Sequence, residues 1–561
     1  MRKIYFLLLF VLISASTCFS QIENVQLSSP VYDFIKEMSV KKIIAFDDDN
    51  PNLSRFEVAD FLKTIATKTS QLSNTEIKLL NKYKVEYIPE ESNSDNTWQM
   101  FGSGKKFSKN LDDFFSNKQK YLYKVGKPGN NAYVEGLGNL NFGYQIKPNS
   151  DKMIYTFMMD GGFRARGTVF NHLGYSVDLS KGALFGDNNL APYIEPRLRT
   201  DFKFNENAEV LKNYDFSVAY LKYYVEPLDG FHLSAEFGRE KITFGYGYGS
   251  KPMLSGNSPD MDFLKLNLKY GIVRYTSIFA STVGYFSSVR DDRYTKYFSA
   301  QRLKIAIPDM FDVAISDLVI YNGRIELAYM NPILFYTFAE KSLQDRDNKA
   351  FEFDLKTTAW KNAEFTGSVF IDDDEQFAFV TGKTSRSEKF VYQVGTMLYE
   401  PLNLRNLSFT VEYTKVRPYT YSHYNVKDNY TAYGENMGHR IGPNADEIFT
   451  RLTYNISDWG RINLEYSHVR KGNNIYDANG NLVRNVGGDI LYNFRDGIDD
   501  PNAQFLDGER VNTEIVGLTF RWIPIRNYIF DFHYDYNLQN FVTQGYKSDF
   551  SYAYLKLNIN Y

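Results

Sequence analysis

Two hydrophobic periods divide the chain. Between residues 29 and 86 apolar side chains recur every three or four positions, the spacing of one face of a helix. Val31, Phe34, Ile35 and Met38 form a first face, Phe56, Phe61, Leu62 and Ile65 a second, and Ile77, Leu80 and Tyr83 a third. Capping boxes open the second and third, Ser54-Arg55-Phe56-Glu57 and Ser73-Asn74-Thr75-Glu76. In such a box a hydroxyl and a carboxylate satisfy the free N–H groups of a helix start. Asp47-Asp48-Asp49-Asn50-Pro51 breaks the chain between helices. Its spacing does not match a known calcium loop, so it reads as a solvated turn. Residues 87–131 are polar and rich in Gly and Lys, and read as a connection.

From Ala132 onward the period is 2, that of a strand with two unlike faces. Leu407, Phe409, Val411 and Tyr413 alternate with Ser408, Thr410 and Glu412. Phe231, Leu233, Ala235 and Phe237 alternate with His232, Ser234 and Glu236, and Val516, Leu518, Phe520 and Trp522 with Gly517, Thr519 and Arg521. In Tyr528–Tyr536 one face is wholly aromatic. A soluble sandwich also alternates. Here the segments are long, the aromatics lie near segment ends, and the turns alternate short and long, which favours a transmembrane antiparallel β-barrel with aromatic girdles and a polar lumen. At the C-terminus Leu555, Leu557, Ile559 and Tyr561 face one way and Tyr554, Lys556, Asn558 and Asn560 the other. A terminal aromatic on an amphipathic strand resembles the C-terminal signal of outer-membrane barrels. Residues 132–561 number 430, and at roughly 24 residues per strand with its turn they make about 18 strands, with 16 the neighbouring even count.

Composition narrows the class. Aromatic residues are 17% of the 561, yet mean hydropathy is −0.40. That excludes a bundle of apolar membrane helices and argues against disorder. The net charge of −3 offers no basic surface for nucleic acid. The single cysteine, Cys18, lies in a leader: Arg2 and Lys3, then the apolar run Tyr5 to Ile13, then small residues before a cut ahead of Gln21. The expected organisation is a signal peptide at 1–20, a helical periplasmic region with linker at 21–131, and an outer-membrane barrel at 132–561.

Candidate chemistry is sparse. No two of the six histidines lie within five positions of each other, so metal-ligand spacing is absent. No nucleophile elbow or phosphate-binding loop occurs, and neither an enzyme nor a cofactor is expected. Asp477-Ala478-Asn479-Gly480-Asn481 reads as a hairpin turn rather than a calcium loop, and the acids Asp496, Asp499, Asp500, Asp507 and Glu509 as a solvated loop. Two tyrosine-rich segments stand out. In Gly245-Tyr246-Gly247-Tyr248-Gly249-Ser250, Tyr246 and Tyr248 offer flat faces for sugar rings, although a glycine-kinked loop folded into the lumen fits equally. Tyr419, Tyr421, Tyr424, Tyr430 and Tyr433 share a loop-like stretch with His423, His439 and Arg440. Aromatic faces stack on pyranose rings while polar neighbours meet the hydroxyls; an interfacial girdle continuing into a loop has the same pattern.

Several stretches together resemble the outer-membrane capsule-assembly family called Wzi. They are Ser29–Phe34 with Leu53–Ala59; Gly238-Arg239 followed by Phe244-Gly245-Tyr246-Gly247 and Leu254-Ser255-Gly256-Asn257; Tyr329-Met330-Asn331-Pro332 with Asp347-Asn348 and Ile371-Asp372-Asp373-Asp374; and Tyr430-Thr431-Ala432-Tyr433-Gly434, Met437-Gly438-His439 and Ile441–Glu447. The resemblance implies a monomeric barrel of about 18 strands, a helical bundle at its periplasmic end, folded loops closing the external end, and a lectin that binds capsular polysaccharide or exopolysaccharide. The residues then expected at the glycan are Tyr246, Tyr248, Asn331, Asp345, Arg346, Asp347, Asn348, Tyr419, Tyr421, His423, Tyr424, Tyr433, His439 and Arg440. Arg346 and Arg440 suit acidic sugars. The expected partners are that polysaccharide, outer-membrane lipid and a periplasmic export partner reached through the helices. Rival readings are a channel for sugars or small solutes and an outer-membrane hydrolase.

Overall fold

The computed structural model describes residues 21–561 except 51, 94, 103–112, 128, 148–153, 200–203, 208–210, 285–292, 345, 373–388 and 501–503. The leader, Cys18, Asp345, Asp373 and Asp374 therefore lie outside the described residues.

Eighteen long antiparallel strands close into a barrel. They are β1 (Asn130–Ile146), β2 (Ile154–Val169), β3 (Leu173–Gly186), β4 (Leu211–Leu228), β5 (Phe231–Glu240), β6 (Met261–Tyr270), β7 (Val273–Val283), β8 (Thr295–Ile307), β9 (Phe311–Asn322), β10 (Asn348–Thr357), β11 (Ala363–Asp372), β12 (Phe390–Tyr399), β13 (Leu407–Val416), β14 (Ala445–Ser457), β15 (Gly460–Asn473), β16 (Glu509–Ile525), β17 (Tyr528–Phe541) and β18 (Tyr546–Asn560). Each pairs with the next, and β18 closes on β1 with Leu557 opposite Leu140. The barrel thus begins two residues before the expected boundary.

The period of 2 sorts the two faces. Leu398, Phe409, Leu452, Leu464, Leu518, Tyr534, Ala553 and Tyr144 are successive partners across β12 to β18 and β1. Leu452, Leu464, Leu518 and Tyr534 in this row are exposed. An exposed apolar row running from strand to strand has hydrocarbon as its solvent. The alternate positions pair with one another inside: Arg164 with Asp178 at 2.7 Å and Arg521 with Asp531 at 2.7 Å.

Turns of two or three residues (170–172, 229–230, 271–272, 308–310, 458–459, 526–527) lie at one end; the longer connections 187–210, 241–260, 323–347, 417–444 and 474–508 lie at the other. Short turns mark the periplasmic end of such barrels. The helices α1 (Val31–Val40), α2 (Arg55–Ala66) and α3 (Asn74–Tyr87) pack there around Phe34, Ile35, Met38, Leu62, Ile65 and Leu80. Both capping boxes form. Glu76 of the second also takes Lys41 at 2.9 Å and the Tyr399 hydroxyl at 2.8 Å, tying α3 to α1 and to β12. The Lys82 ammonium donates to Asp458 O at 2.7 Å and Arg526 donates to Lys82 O at 2.8 Å, which holds α3 against two short turns.

Two expectations change. Asp47–Asn50 is not a solvated turn: it enters the lumen. Residues 87–131 are not merely a connection: buried Trp98 meets the C-terminal Tyr561 edge to face at 6.0 Å, and the strand Tyr123–Lys127 pairs with β1.

Candidate functional site

The lumen is filled from both ends. From the periplasmic end Asp47, Asp48 and Asp49 reach cations on the barrel wall, joined by Lys36 of α1. Asp47 pairs with Lys304 at 2.9 Å and Arg274 at 3.1 Å, Asp48 with Lys356 at 2.9 Å and with Lys36, and Asp49 with Arg302 at 2.6 Å and with Lys304. Burial opposes ionisation of Asp48 and Asp49. The cations outweigh it, Lys356 and Lys36 at Asp48 and Lys304 and Arg302 at Asp49, and hold both carboxyls well below the usual carboxylate range.

From the external end the 241–260 loop descends to meet this tip. Gly245 N–H donates to Asp49 O at 3.1 Å, at a φ of +95° that a side chain would strain. Tyr246 donates its hydroxyl to Asp312 at 3.2 Å and is buried. The Tyr248 and Gly249 N–H groups donate to Glu412 at 2.7 and 2.9 Å, and the Tyr248 hydroxyl to Glu364 at 2.7 Å. Tyr246 and Tyr248 are therefore pins inside the barrel and not surface platforms. The lumen-loop alternative is the arrangement that forms. Beside these two segments a cavity of about 590 Å³ remains against β1 to β5 and β16 to β18, with Arg164, Arg166, Arg197, Arg521 and Lys556 on its walls.

The 417–444 loop lies over the insert as a lid. Tyr421 donates its backbone N–H to Asp372 at 2.6 Å and its hydroxyl to Pro252 O at 2.7 Å, and that hydroxyl accepts from His439 N–H at 3.0 Å. Tyr430 donates to Met253 O at 2.8 Å. Both rings flank Phe370, at 5.3 and 5.6 Å. Gly438 has to be glycine, because a Cβ there would sit 2.4 Å from the Tyr421 ring. The lid's outer run is tied to the wall through Lys296, which donates to Thr431 O at 2.9 Å, and through Asp428, which accepts from Asn322 at 2.7 Å. Tyr419 donates to Asn485 O at 3.1 Å, joining the lid to the 474–508 loop.

The residues marked by sequence thus separate. Tyr419, Tyr421, His423, His439, Asp347 and Asn348 are buried. They shape the lid and do not reach a ligand on its outside. Asp347 accepts from Tyr329 at 2.8 Å, and Asn348 donates to Asp428 O at 2.8 Å. Burial pushes His439 down to about 4 against the opposing pull of Glu447, so the ring is neutral at physiological pH. Tyr433 is half-buried. Asn331 is exposed, but on a segment that turns down the outer wall of the barrel. Tyr424 and Arg346 remain on the external face, whereas Arg440 turns inward, its guanidinium donating to Gly249 O of the lumen insert at 3.4 Å. Tyr424 is 64% exposed, its ring packed on His423 at 4.2 Å and its hydroxyl donating to Arg346 O at 3.0 Å. Arg440 pairs with Glu447 at 2.6 Å over the Phe449 ring.

Sequence reasoning missed two surface groups. Exposed Lys427 lies over the Tyr294 ring at 5.4 Å. Tyr476 and Tyr492 come within 6.3 Å of each other on the 474–508 loop, with the Tyr476 hydroxyl on Asp489 at 3.0 Å. The signal for the second pair was the Asp477–Asn481 turn, which forms as a hairpin between Ile475–Tyr476 and Leu482–Arg484 and presents Tyr476.

A barrel plugged from both ends with an ordered lid is matched at the level of sequence by the family model described as capsule assembly protein Wzi, over residues 186–495. The chain belongs to the Wzi family. The matched span carries the lumen insert, the lid and most of the external loops. Among solved structures the chain is similar to Wzi of Escherichia coli, described as an outer membrane protein involved in group 1 capsule assembly and a carbohydrate-binding β-barrel. The identity is 11%, the TM-score 0.54, and the match covers 95% of this chain and 99% of that one. OprD of Pseudomonas aeruginosa matches at 10% identity over 77% of this chain and 93% of its own, with a TM-score of 0.42. OccAB2 of Acinetobacter baumannii matches at 10% identity over 77% and 98%, with a TM-score of 0.44. No curated protein matches the chain. Family, strand number and apolar belt agree, and this Wzi-family barrel is an outer-membrane protein.

Proposed function

We propose that this Wzi-family barrel is a surface lectin that holds capsular polysaccharide or exopolysaccharide on the outer face of its lid. The observation that carries the reading is the exposed ring of Tyr424, fixed on His423 and Arg346 above a lid that is hydrogen-bonded to the wall and to the lumen insert. A pre-fixed aromatic loses little conformational freedom when a sugar ring stacks on it. Lys427 and Arg346 beside it supply cations for the carboxylates of acidic sugars, and Tyr476 with Tyr492 forms a second platform on the neighbouring loop. A polymer presents the same repeat many times, so a weak single contact is multiplied by effective concentration. No catalytic step enters this reading; the barrel retains polymer and leaves it chemically unchanged.

The test is pull-down of the producing cell's own surface polysaccharide by the purified barrel in detergent. Saturable binding that falls about tenfold with Tyr424→Ala, equivalent to about 1.4 kcal/mol, and that weakens with added salt through Lys427, is the expected result. Absence of binding to any surface glycan, together with steady single-channel conductance in a planar bilayer, would replace the lectin by the channel.

A further inference from the structure

The 323–347 connection leaves the external end of β9 and touches the lid only where it returns to β10. It folds back over the outer wall of the barrel. Alternation fixes which strand residues point outward there. On β8, Arg302 and Lys304 reach the plug inside, so Ser299, Gln301, Leu303 and Ile305 face out. Ser277 on β7 and Asp317 on β9 are the outward partners of Gln301. Leu303 and Ile305 are exposed, as belt residues should be, whereas Ser277, Ser299, Gln301 and Asp317 are buried. The connection buries them. Asp317 accepts from the N–H of Tyr336 at 2.6 Å, Gln301 donates to Leu334 O, and the Tyr275 hydroxyl donates to Pro332 O. Val319 and Tyr321 on β9 pack with Tyr329, Tyr336 and Ala339 of the connection, and Glu340 pairs with outward Lys349 at 2.9 Å.

The other side of this flap has no protein on it. Leu327 is 76% exposed, Ile333 86%, Phe335 51% and Phe338 65%. From Leu327 to Ala339 there is no charged residue. Such a surface would be a liability in water. It is continuous with the lipid-facing belt, because Leu303, Ile305, Val313, Phe353 and Leu355 lie exposed on the same strands toward the short-turn end.

We propose that the 323–347 connection is a membrane-embedded flap whose apolar side sits among the acyl chains of the outer leaflet. Its backbone and side chains satisfy a polar patch that the strands would otherwise present to hydrocarbon. Hydrocarbon offers no partner to an unpaired N–H or carboxylate, so one segment both seals the patch and extends the belt. The flap also reaches the lid, since Tyr424 bonds to Arg346 O and Asn348 to Asp428 O. The glycan surface proposed above is thereby held at the level of the lipid headgroups. The flap itself stands whether or not that surface binds sugar.

Nitroxide labels report the medium directly. Ile333→Cys and Phe338→Cys, each made with Cys18→Ser and reconstituted in phospholipid vesicles, are compared with two references. Val394→Cys lies on the bare belt, at 59% exposure, and Val483→Cys on the external 474–508 loop, at 63%. All four positions are exposed, so labelling leaves the packing alone. Collision with oxygen exceeding collision with a water-soluble nickel chelate, in the ratio seen at Val394, is expected at both flap positions. A ratio like that at Val483 would place the flap in water and overturn the proposal. Low collision with both reagents together with dipolar broadening would show a second copy covering the flap, and would overturn it equally.

Discussion

Tyr421 and Tyr424 are three positions apart and do opposite work. Tyr421 is buried with three hydrogen-bonded groups around it, so Tyr421→Ala removes a large buried ring and leaves Pro252 O and the His439 N–H short of a partner, while the backbone bond to Asp372 stays. A loss of about 3–5 kcal/mol is expected, read as a lower temperature for the heat-induced gel shift of the folded barrel. Tyr424→Ala should leave stability within about 0.5 kcal/mol of the parent, with no shift in that temperature, and weaken only glycan binding. If both variants changed stability alike, the separation of pillar from platform would be wrong. Titration adds a second test at this scale. Asp48 and Asp49 are held below their unfolded value of about 3.9 although burial opposes their charge. Their contribution to stability is therefore complete above about pH 5 and is lost progressively as pH falls from about 4 toward the lower folded values. Hydrogen exchange at Asp47–Asn50 should stay equally protected from about pH 7 to 5 and open below about pH 4; opening between 7 and 5 would contradict the ion-pair geometry.

At the scale of elements the plug is three helices, two of them opened by capping boxes, and a charged tip. Ser54→Ala removes one cap, worth about 1 kcal/mol, together with an acceptor of the buried Lys222 ammonium on β4 at 2.7 Å, and should be seen as faster exchange in the first turn of α2. The tip matters more. Asp49→Asn takes one of two countercharges from buried Arg302 and Lys304, which keep Asp354 and Asp47 as partners. The loss should stay below the about 3–5 kcal/mol of a buried pair broken outright, and ion flux through the barrel in a planar bilayer should rise above that of the parent. A variant as tight as the parent would mean that the 241–260 insert alone seals the lumen. The helices and their caps were legible in sequence because both depend on residues within four positions of each other. The destination of Asp47–Asn50 was not, because its partners Arg274, Arg302, Lys304 and Lys356 lie more than two hundred residues away.

For the whole molecule, one sheet has two solvents and two stoppers. Strand pattern predicted the barrel and the two faces of its wall, since a residue's face depends only on counting by two along its own strand, and length put the strand number near eighteen. The same rule does not say what covers a face. Ser277, Gln301 and Asp317 count as outward, and only the folded flap explains polar groups at that position. Asn331, read as a glycan contact, lies on that flap for the same reason: its loop length allowed either course.

Local chemistry along the chain determined the helices, their caps, the membrane strands and the family resemblance, because periodicity, capping and motif order are properties of neighbouring residues. Tertiary structure decided which tyrosines of one loop point into the lid and which point out. It also decided that three adjacent aspartates plug a lumen instead of meeting water, and that one external connection lies against the lipid-facing wall. Each of those choices rests on partners supplied by distant strands, whose closure into a ring is what brings the groups within hydrogen-bonding distance.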